Sequence, residues 1–159
     1  MNPQVLTKLN QRPPGAMVAS ALDELLGNDA VLLELDANER SIAYRLAMYL
    51  QGLQPNRHVD CEYNRDGVDP KKIQHLGLHP NDEDTQARTA FPDIIIHRRN
   101  TNENYLVIEI KKSTNTADRA VDFAKLRGYK KNLGFDFALF LELATLDQAD
   151  VADAEWVDL

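Results

Sequence analysis

The chain has a single cysteine, Cys61, among its 159 residues, and it has no long apolar run. One thiol cannot form an internal disulfide, so nothing in the sequence points to an oxidising compartment. No stretch approaches the roughly 20 apolar residues that a membrane-spanning helix needs. The N-terminal residues also have no apolar segment of signal-peptide length. These absences predict a cytoplasmic protein with no membrane partner.

Two common kinds of functional site are missing as well. No glycine-rich phosphate loop occurs, which leaves nucleotide-dependent chemistry unsupported. His58, His75 and His79 do not have the spacing of zinc ligands, and a single cysteine cannot complete such a site. The sequence therefore gives no sign of a nucleotide-dependent enzyme or of a zinc site.

The length of the chain predicts one domain over residues 1–159, with residues 1–15 a flexible lead-in and residues 145–159 an acidic C-terminal segment. The formal net charge of -7 argues against a polyanionic partner, but the charge is unevenly distributed. Residues 93–133 carry nine Lys and Arg against five Asp and Glu, whereas residues 134–159 are acidic only. This pattern is consistent with a local surface for a polyanion, and also with a solvated basic helix face.

The most informative segment is FPDIIIHRRNTNENYLVIEIKK, residues 91–112. It predicts two short aliphatic strands, Asp93 to Arg98 and Tyr105 to Lys111. The polar turn between them is rich in Asn, whose side chain replaces the hydrogen bonds of a strand ladder. The segment is therefore expected to form a β-hairpin.

The two faces of this hairpin differ in chemistry. Side chains alternate between the faces of a strand, and residues opposite each other in an antiparallel pair share a face. If Asp93 lies opposite Glu109 or Lys111, one face is aliphatic and the other gathers charge at one end. A surface ion-pair cluster, worth at most about 1 kcal/mol, leaves that gathering unexplained. The charged face is predicted to hold Asp93, Ile95, His97, Tyr105, Val107, Glu109 and Lys111.

A helix with a carboxylate on its apolar stripe precedes the hairpin. It is expected to begin after Asp36 as its N-cap and to run to about Gln51. Glu39 shares one face with Ile42 and Leu46. A carboxylate on the buried side of a helix needs a partner, although a first-turn Glu can also simply complement the helix dipole.

The remaining pattern predicts further elements around the hairpin. After it, a helix is expected to begin at Thr116 or Asp118 and to end near Asn132. Its packed side is predicted to hold Ala117, Val121, Ala124 and Gly128. The other predicted elements are a helix at Ala16–Leu26, strands at His58–Asn64 and Phe135–Leu143, a last short strand at Glu155–Val157, and a long irregular segment at Arg65–Ala90.

The order helix, strand, strand, strand, helix, strand, together with Pro92-Asp93 and Glu109-Ile110-Lys111, resembles the PD-(D/E)XK (restriction-endonuclease-like) nuclease superfamily. The resemblance covers roughly residues 38–143. It implies an α/β fold, with a mixed four- to five-stranded sheet flanked by helices around an αβββαβ core. It also implies metal-dependent phosphodiester hydrolysis, most simply by a DNA endonuclease.

The resemblance assigns catalytic roles to Asp93, Glu109, Lys111 and Glu39. Mg²⁺ or Mn²⁺ would be held by the carboxylates of Asp93, Glu109 and Glu39 and by the carbonyl of Ile110, because hard cations take oxygen ligands. Lys111 would stabilise hydroxide or the charge that develops at the phosphate, or would act as a base. Apart from the resemblance, Asp122 and Lys125 on the basic helix either assist at the active site or bind phosphate, or form an i, i+3 salt bridge, which is the simpler interpretation. Nucleic acid is expected to follow the basic helix through Lys112, Arg119, Lys125, Arg127, Lys130 and Lys131.

A different class of function is also compatible with the sequence. The chain would keep the nuclease fold but act as a catalytically inactive binding or regulatory module, with its acidic C-terminal segment making protein contacts. The complete Asp, Glu and Lys set favours the enzyme, whereas the net charge of -7 favours the module. A nuclease of this size would gain affinity for DNA by forming a homodimer or by binding a partner protein.

Overall fold

The structure, a computed structural model, describes residues 1–62, the backbone of residues 65–66 and 69–70, and residues 91–159. The predicted irregular segment Arg65–Ala90 and the end of the predicted strand His58–Asn64 therefore lie almost wholly outside the described residues. The helices are α1 Pro3–Leu9, α2 Gly15–Asn28, α3 Ala30–Glu34, α4 Glu39–Leu53 and α5 Arg119–Leu133. The strands are β1 His58–Cys61, β2 Arg65–Asp66, β3 Asp69–Pro70, β4 Ile94–His97, β5 Asn104–Lys112, β6 Phe137–Ala144 and β7 Asp150–Trp156.

The fold is α/β, with a mixed five-stranded sheet flanked by helices, as predicted. The strand order is β1-β4-β5-β6-β7, and β2 pairs with β3 in a separate two-stranded sheet. β4 is antiparallel to β1 and β5, and β6 is antiparallel to β7. β5 and β6 are parallel. A parallel pair needs a crossover connection, and α5 supplies it.

The hairpin of β4 and β5 has the predicted register at its charged end. Ile94 lies opposite Ile108, and Ile96 lies opposite Leu106. The same register places Asp93, one residue before β4, opposite Glu109, so the two carboxylates share a face. The register shifts between Ile96 and His97. Beyond this irregularity Tyr105 packs against the aliphatic core instead of joining the charged face, so that part of the predicted face is wrong.

Helices cover both faces of the sheet. α1 to α4 pack on the face that carries Ile94, Ile108 and Leu141, and they form the larger core. α5 packs on the other face, over Ile95 and Val107. Since Glu109 and Lys111 alternate with the residues of the larger core, they lie on the face covered by α5.

The helix before the hairpin has a different cap from the predicted one. The Asn38 side chain accepts a hydrogen bond from the Ser41 N–H at 2.8 Å and caps α4. Asp36 instead has a left-handed backbone, with φ 51°, and pairs with Lys112. Asn is as good an N-cap as Asp, and its position directly before Glu39 determines where the helix begins.

The helix after the hairpin begins after Asp118, whose side chain accepts a hydrogen bond from the Ala120 N–H at 2.8 Å. It ends at Gly134, which has a left-handed backbone with φ 66°. Its buried residues are Leu126 and Tyr129, and Val121, which was predicted on the packed side, is 37% exposed. The predicted stripe is therefore wrong, because large side chains rather than small ones fill the space over the sheet.

The predicted flexible lead-in, residues 1–15, contains α1 instead. Val5 and Leu9 are buried in the larger core, and the Trp156 indole donates to the Lys8 and Leu9 carbonyls at 3.0 and 3.1 Å. β7, longer than the predicted last strand, thus holds α1 in place. Within the described ranges, no helix has the length and apolarity to cross a membrane.

We predict that Leu9→Ala lowers the free energy of unfolding by about 2–5 kcal/mol, because it leaves a cavity at a fully buried position. Urea denaturation followed by circular dichroism measures this loss. Leu6→Ala on the same helix is the matched control, since Leu6 is 41% exposed and its truncation costs less. Equal losses for the two variants would contradict the packing of α1 against the core.

Candidate active site

Two carboxylates meet where β4 begins and β5 ends. Asp93 precedes β4, and its Oδ2 accepts a hydrogen bond from the backbone N–H of Ile110 at 2.7 Å. Glu109 lies in β5 with its side chain 2% exposed. The Asp93 carboxylate thus accepts the hydrogen bond that a backbone carbonyl of a neighbouring strand would otherwise accept from β5. This contact holds Asp93 beside Glu109.

Helix α5 contributes a second pair of charges to the same place. Lys111 Nζ is 2.8 Å from Asp122 Oδ2, and Lys125 Nζ is 3.0 Å from Glu109 Oε2. The predicted i, i+3 pair of Asp122 and Lys125 is longer, at 3.7 Å. The main contacts of these two residues therefore reach across to β5 rather than to each other.

Glu39 reaches the same end of the sheet from α4. Its Oε1 accepts hydrogen bonds from the Lys112 N–H at 3.0 Å and from Asn115 Nδ2 at 2.8 Å. Its charge raises the pKa of Asp93, behind the larger effect of burial. The structure therefore gathers all four predicted catalytic residues, with Glu39 also tying α4 to the end of β5.

Burial perturbs both central carboxylates. It raises the pKa of Asp93 to about 6, against the opposing hydrogen bond from Ile110. Burial, followed by the charge of Asp93, raises the pKa of Glu109 to about 8. Lys125 lowers the pKa of Glu109 but does not offset these two effects. A site with excess negative charge in a desolvated position favours either a proton or a bound cation.

Two buried polar atoms remain without a partner in this cluster. Neither Glu109 Oε1 nor the Tyr129 hydroxyl has a partner with full hydrogen-bond geometry among the described residues. Burial raises the pKa of Tyr129, and the charges of Glu109 and Asp93 and a side-chain interaction with Glu109 raise it further. Tyr129 was not singled out from the sequence, although it follows Lys125 by four residues and so shares its side of α5.

The donor set suits a hard divalent cation, although no complete cage is present. Among the described residues, no group of three or more His, Cys, Asp or Glu side chains is arranged to hold a metal ion. Mg²⁺ needs only one or two carboxylates, because it keeps several waters. Asp93 and the unpartnered Glu109 Oε1 meet that requirement, and Glu39 and the Ile110 carbonyl belong to the same end of the sheet. The residues present therefore fit the predicted Mg²⁺ or Mn²⁺.

The predicted nucleic-acid-binding residues fall into three groups. Lys125 belongs to the site itself. Lys112 pairs with Asp36 at 3.0 Å, Arg119 pairs with Glu142, and Lys130 donates to the Asp136 carbonyl at 3.0 Å. Arg127 and Lys131 are exposed on α5. Arg127 and Lys131 are thus accessible to a polyanion.

His97 is a buried part of the fold. Its Nε2 lies 2.8 Å from Asp60 Oδ2, and Asp60 also pairs with Arg99. It lies at the end of β4 away from Asp93. The interaction links β1 to β4 rather than contributing to the charged cluster.

Comparisons with known proteins find no matching family model, no matching curated protein and no matching solved structure. At the level of the fold, the class of protein that the structure defines is an α/β domain with a mixed five-stranded sheet. Its function must therefore be inferred from the residues of the site.

We predict that Glu109→Gln stabilises the fold increasingly as pH rises from about 5 to 8. A raised pKa means that the folded chain binds more protons at Glu109 than the unfolded chain in this interval, so the contribution of Glu109 to stability falls with pH. Between pH 5 and pH 8, the free energy of unfolding of Glu109→Gln relative to wild type should rise by at least about 1 kcal/mol, roughly the equivalent of one pKa unit. Urea unfolding at both pH values measures it.

Glu155→Gln is the control for this experiment, because Glu155 is exposed on β7. Its effect on stability should change little over the same pH interval. If the difference in free energy of unfolding between Glu109→Gln and wild type does not change with pH, Glu109 is ionised throughout the interval and its burial does not raise its pKa.

Proposed function

We propose that this protein is a metal-dependent nuclease that hydrolyses phosphodiester bonds, with DNA as the substrate and Mg²⁺ or Mn²⁺ as the cofactor. The observation that carries the proposal is the meeting of Asp93, Glu109 and Lys111 on one face at the end of β5. The sequential order α4, β1, β4, β5, α5, β6 supports a restriction-endonuclease-like core. The resemblance to the PD-(D/E)XK superfamily rests on the same residues.

The carboxylates of Asp93 and Glu109 would hold the cation, with Glu39 and the Ile110 carbonyl as further oxygen donors. When bound, the cation polarises the phosphoryl oxygen and lowers the pKa of a coordinated water. Asp93 is fixed by the Ile110 N–H, so its carboxylate is oriented before any ligand arrives.

Lys111 supplies positive charge on the same face. Its side chain is 6% exposed and its ammonium is held by Asp122, which limits the number of conformations it samples. In the proposed reaction it stabilises the negative charge that develops at the scissile phosphate. Burial strengthens this interaction, because few waters screen it.

A second candidate function is a catalytically inactive module with the same fold. It is favoured by the way the charges of the cluster already satisfy one another, Lys111 with Asp122 and Lys125 with Glu109. Such a module would bind nucleic acid or a protein partner without cutting. The two candidates differ in one measurable property, the cleavage of DNA in the presence of a divalent cation.

We predict that the protein cleaves plasmid or linear DNA in Mg²⁺ or Mn²⁺, and that Asp93→Asn and Lys111→Met each reduce the rate at least a hundredfold. Removal of one preorganised charge stabiliser costs about this much in enzymes. Chelation with EDTA should abolish cleavage. Gel electrophoresis of timed samples gives the rates.

Glu155→Gln, an exposed change on β7, is the matched control and should retain full activity. Equal residual cleavage by the wild type and both site variants would indicate a contaminating nuclease and end the enzyme proposal. Retention of DNA in a mobility-shift assay without cleavage would instead establish the binding module.

We predict that the double substitution Arg127→Gln and Lys131→Gln weakens DNA binding and reduces its salt dependence. The two residues are four apart on α5 and both exposed, so they can contact one phosphate backbone. The plot of the logarithm of the DNA association constant against the logarithm of the salt concentration should become less steep. Its slope should decrease in magnitude by about 0.9 for each duplex phosphate that the variant no longer neutralises. Fluorescence anisotropy with labelled DNA at several salt concentrations measures it.

Lys8→Gln is the control for this experiment, because Lys8 lies on α1 and pairs with Asp153. An unchanged salt slope in the double variant would place the DNA on another surface.

A further inference from the structure

Lys125 is the only cation seen to contact Glu109 among the described residues. Its ammonium is 3.0 Å from Glu109 Oε2, while Oε1 of the same carboxylate has no partner. The Lys125 side chain is 27% exposed and the Glu109 side chain 2% exposed. The ammonium therefore reaches the buried carboxylate from the solvent side of the site.

This ammonium takes a place that a divalent cation also needs. Asp93 and Glu109 together carry two negative charges when ionised, and Lys125 balances one of them. A cation of charge two held by the same carboxylates would lie close to the ammonium and be repelled by it in a poorly screened position. The Lys125 ammonium and a divalent cation therefore cannot both contact the Glu109 carboxylate closely at the same time.

Asp122 provides an alternative partner for the displaced lysine. Asp122 Oδ1 is 3.7 Å from Lys125 Nζ, and its other oxygen holds Lys111. A lysine has a flexible four-carbon stem, so the ammonium can move from Glu109 towards Asp122 by side-chain rotation. The backbone of α5 need not shift for this exchange.

We propose that Lys125 is an internal counter-ion of the site, which neutralises Glu109 in the absence of metal and must leave that carboxylate when a divalent cation binds. The inference rests on the metal site of the proposed function. It assigns to Lys125 a role in setting metal affinity, in place of the nucleic-acid contact expected from the sequence. Removing the ammonium should therefore tighten metal binding.

The test is isothermal titration of Mg²⁺ into wild-type protein and variants at pH 8.5, which lies above the raised pKa values of about 6 for Asp93 and about 8 for Glu109, so that both carboxylates of the wild type are mostly ionised. Lys125→Gln and Lys125→Met should each bind Mg²⁺ at least tenfold more tightly than wild type. Lys125→Arg retains the charge and should bind as weakly as wild type. Lys8→Gln removes a charge that pairs with Asp153 on β7 and should change the affinity less than twofold.

Asp93→Asn in each background shows whether the measured binding belongs to this site. If wild type, Lys125→Gln and Lys125→Met bind Mg²⁺ with equal affinity, and Asp93→Asn abolishes this binding in each, the counter-ion role is overturned and the metal site stands. Absence of binding in every variant would overturn both the counter-ion role and the metal-dependent function. Circular dichroism confirms that the compared variants are folded.

Discussion

The burial of Glu109 beside Asp93 is the constraint on which the rest of the site depends. A buried carboxylate is costly unless charge or hydrogen bonds compensate it, and here compensation is incomplete, since Glu109 Oε1 has no partner among the described residues. The surrounding groups compensate part of the cost of burying the two carboxylates. The Ile110 N–H holds Asp93, and Lys125 holds the other oxygen of Glu109.

The topology of the sheet explains why helix α5 completes the site. Parallel pairing of β5 and β6 requires the chain to cross one face of the sheet, and α5 makes that crossing over the face that carries Glu109. The helix therefore brings Asp122, Lys125 and Tyr129 to the carboxylates as a consequence of its connection. An antiparallel hairpin between β5 and β6 would have left this face without these residues.

Much of the fold could be predicted from patterns within single helices and strands. The grouping of the site residues could be predicted from the pairing register of β4 and β5. Strict alternation in β4 and β5 determined which residues share a face, so Asp93, Glu109 and Lys111 could be grouped in advance. Tyr105 could not be placed, because an irregularity after Ile96 depends on tertiary packing. The packed side of α5 was also missed, since only the sheet beneath it decides which of two stripes is buried. Contacts between distant segments, such as Lys125 with Glu109, have no signature in local spacing.

The contact between α1 and β7 has a consequence for the order of folding. The Trp156 indole and the Leu9 carbonyl that accepts from it are separated by 147 residues, and contacts of such long range slow folding, because the loop they close must be ordered first. We expect this contact between α1 and β7 to form late in folding, so that partly folded chains present the apolar side of α1 to neighbouring molecules.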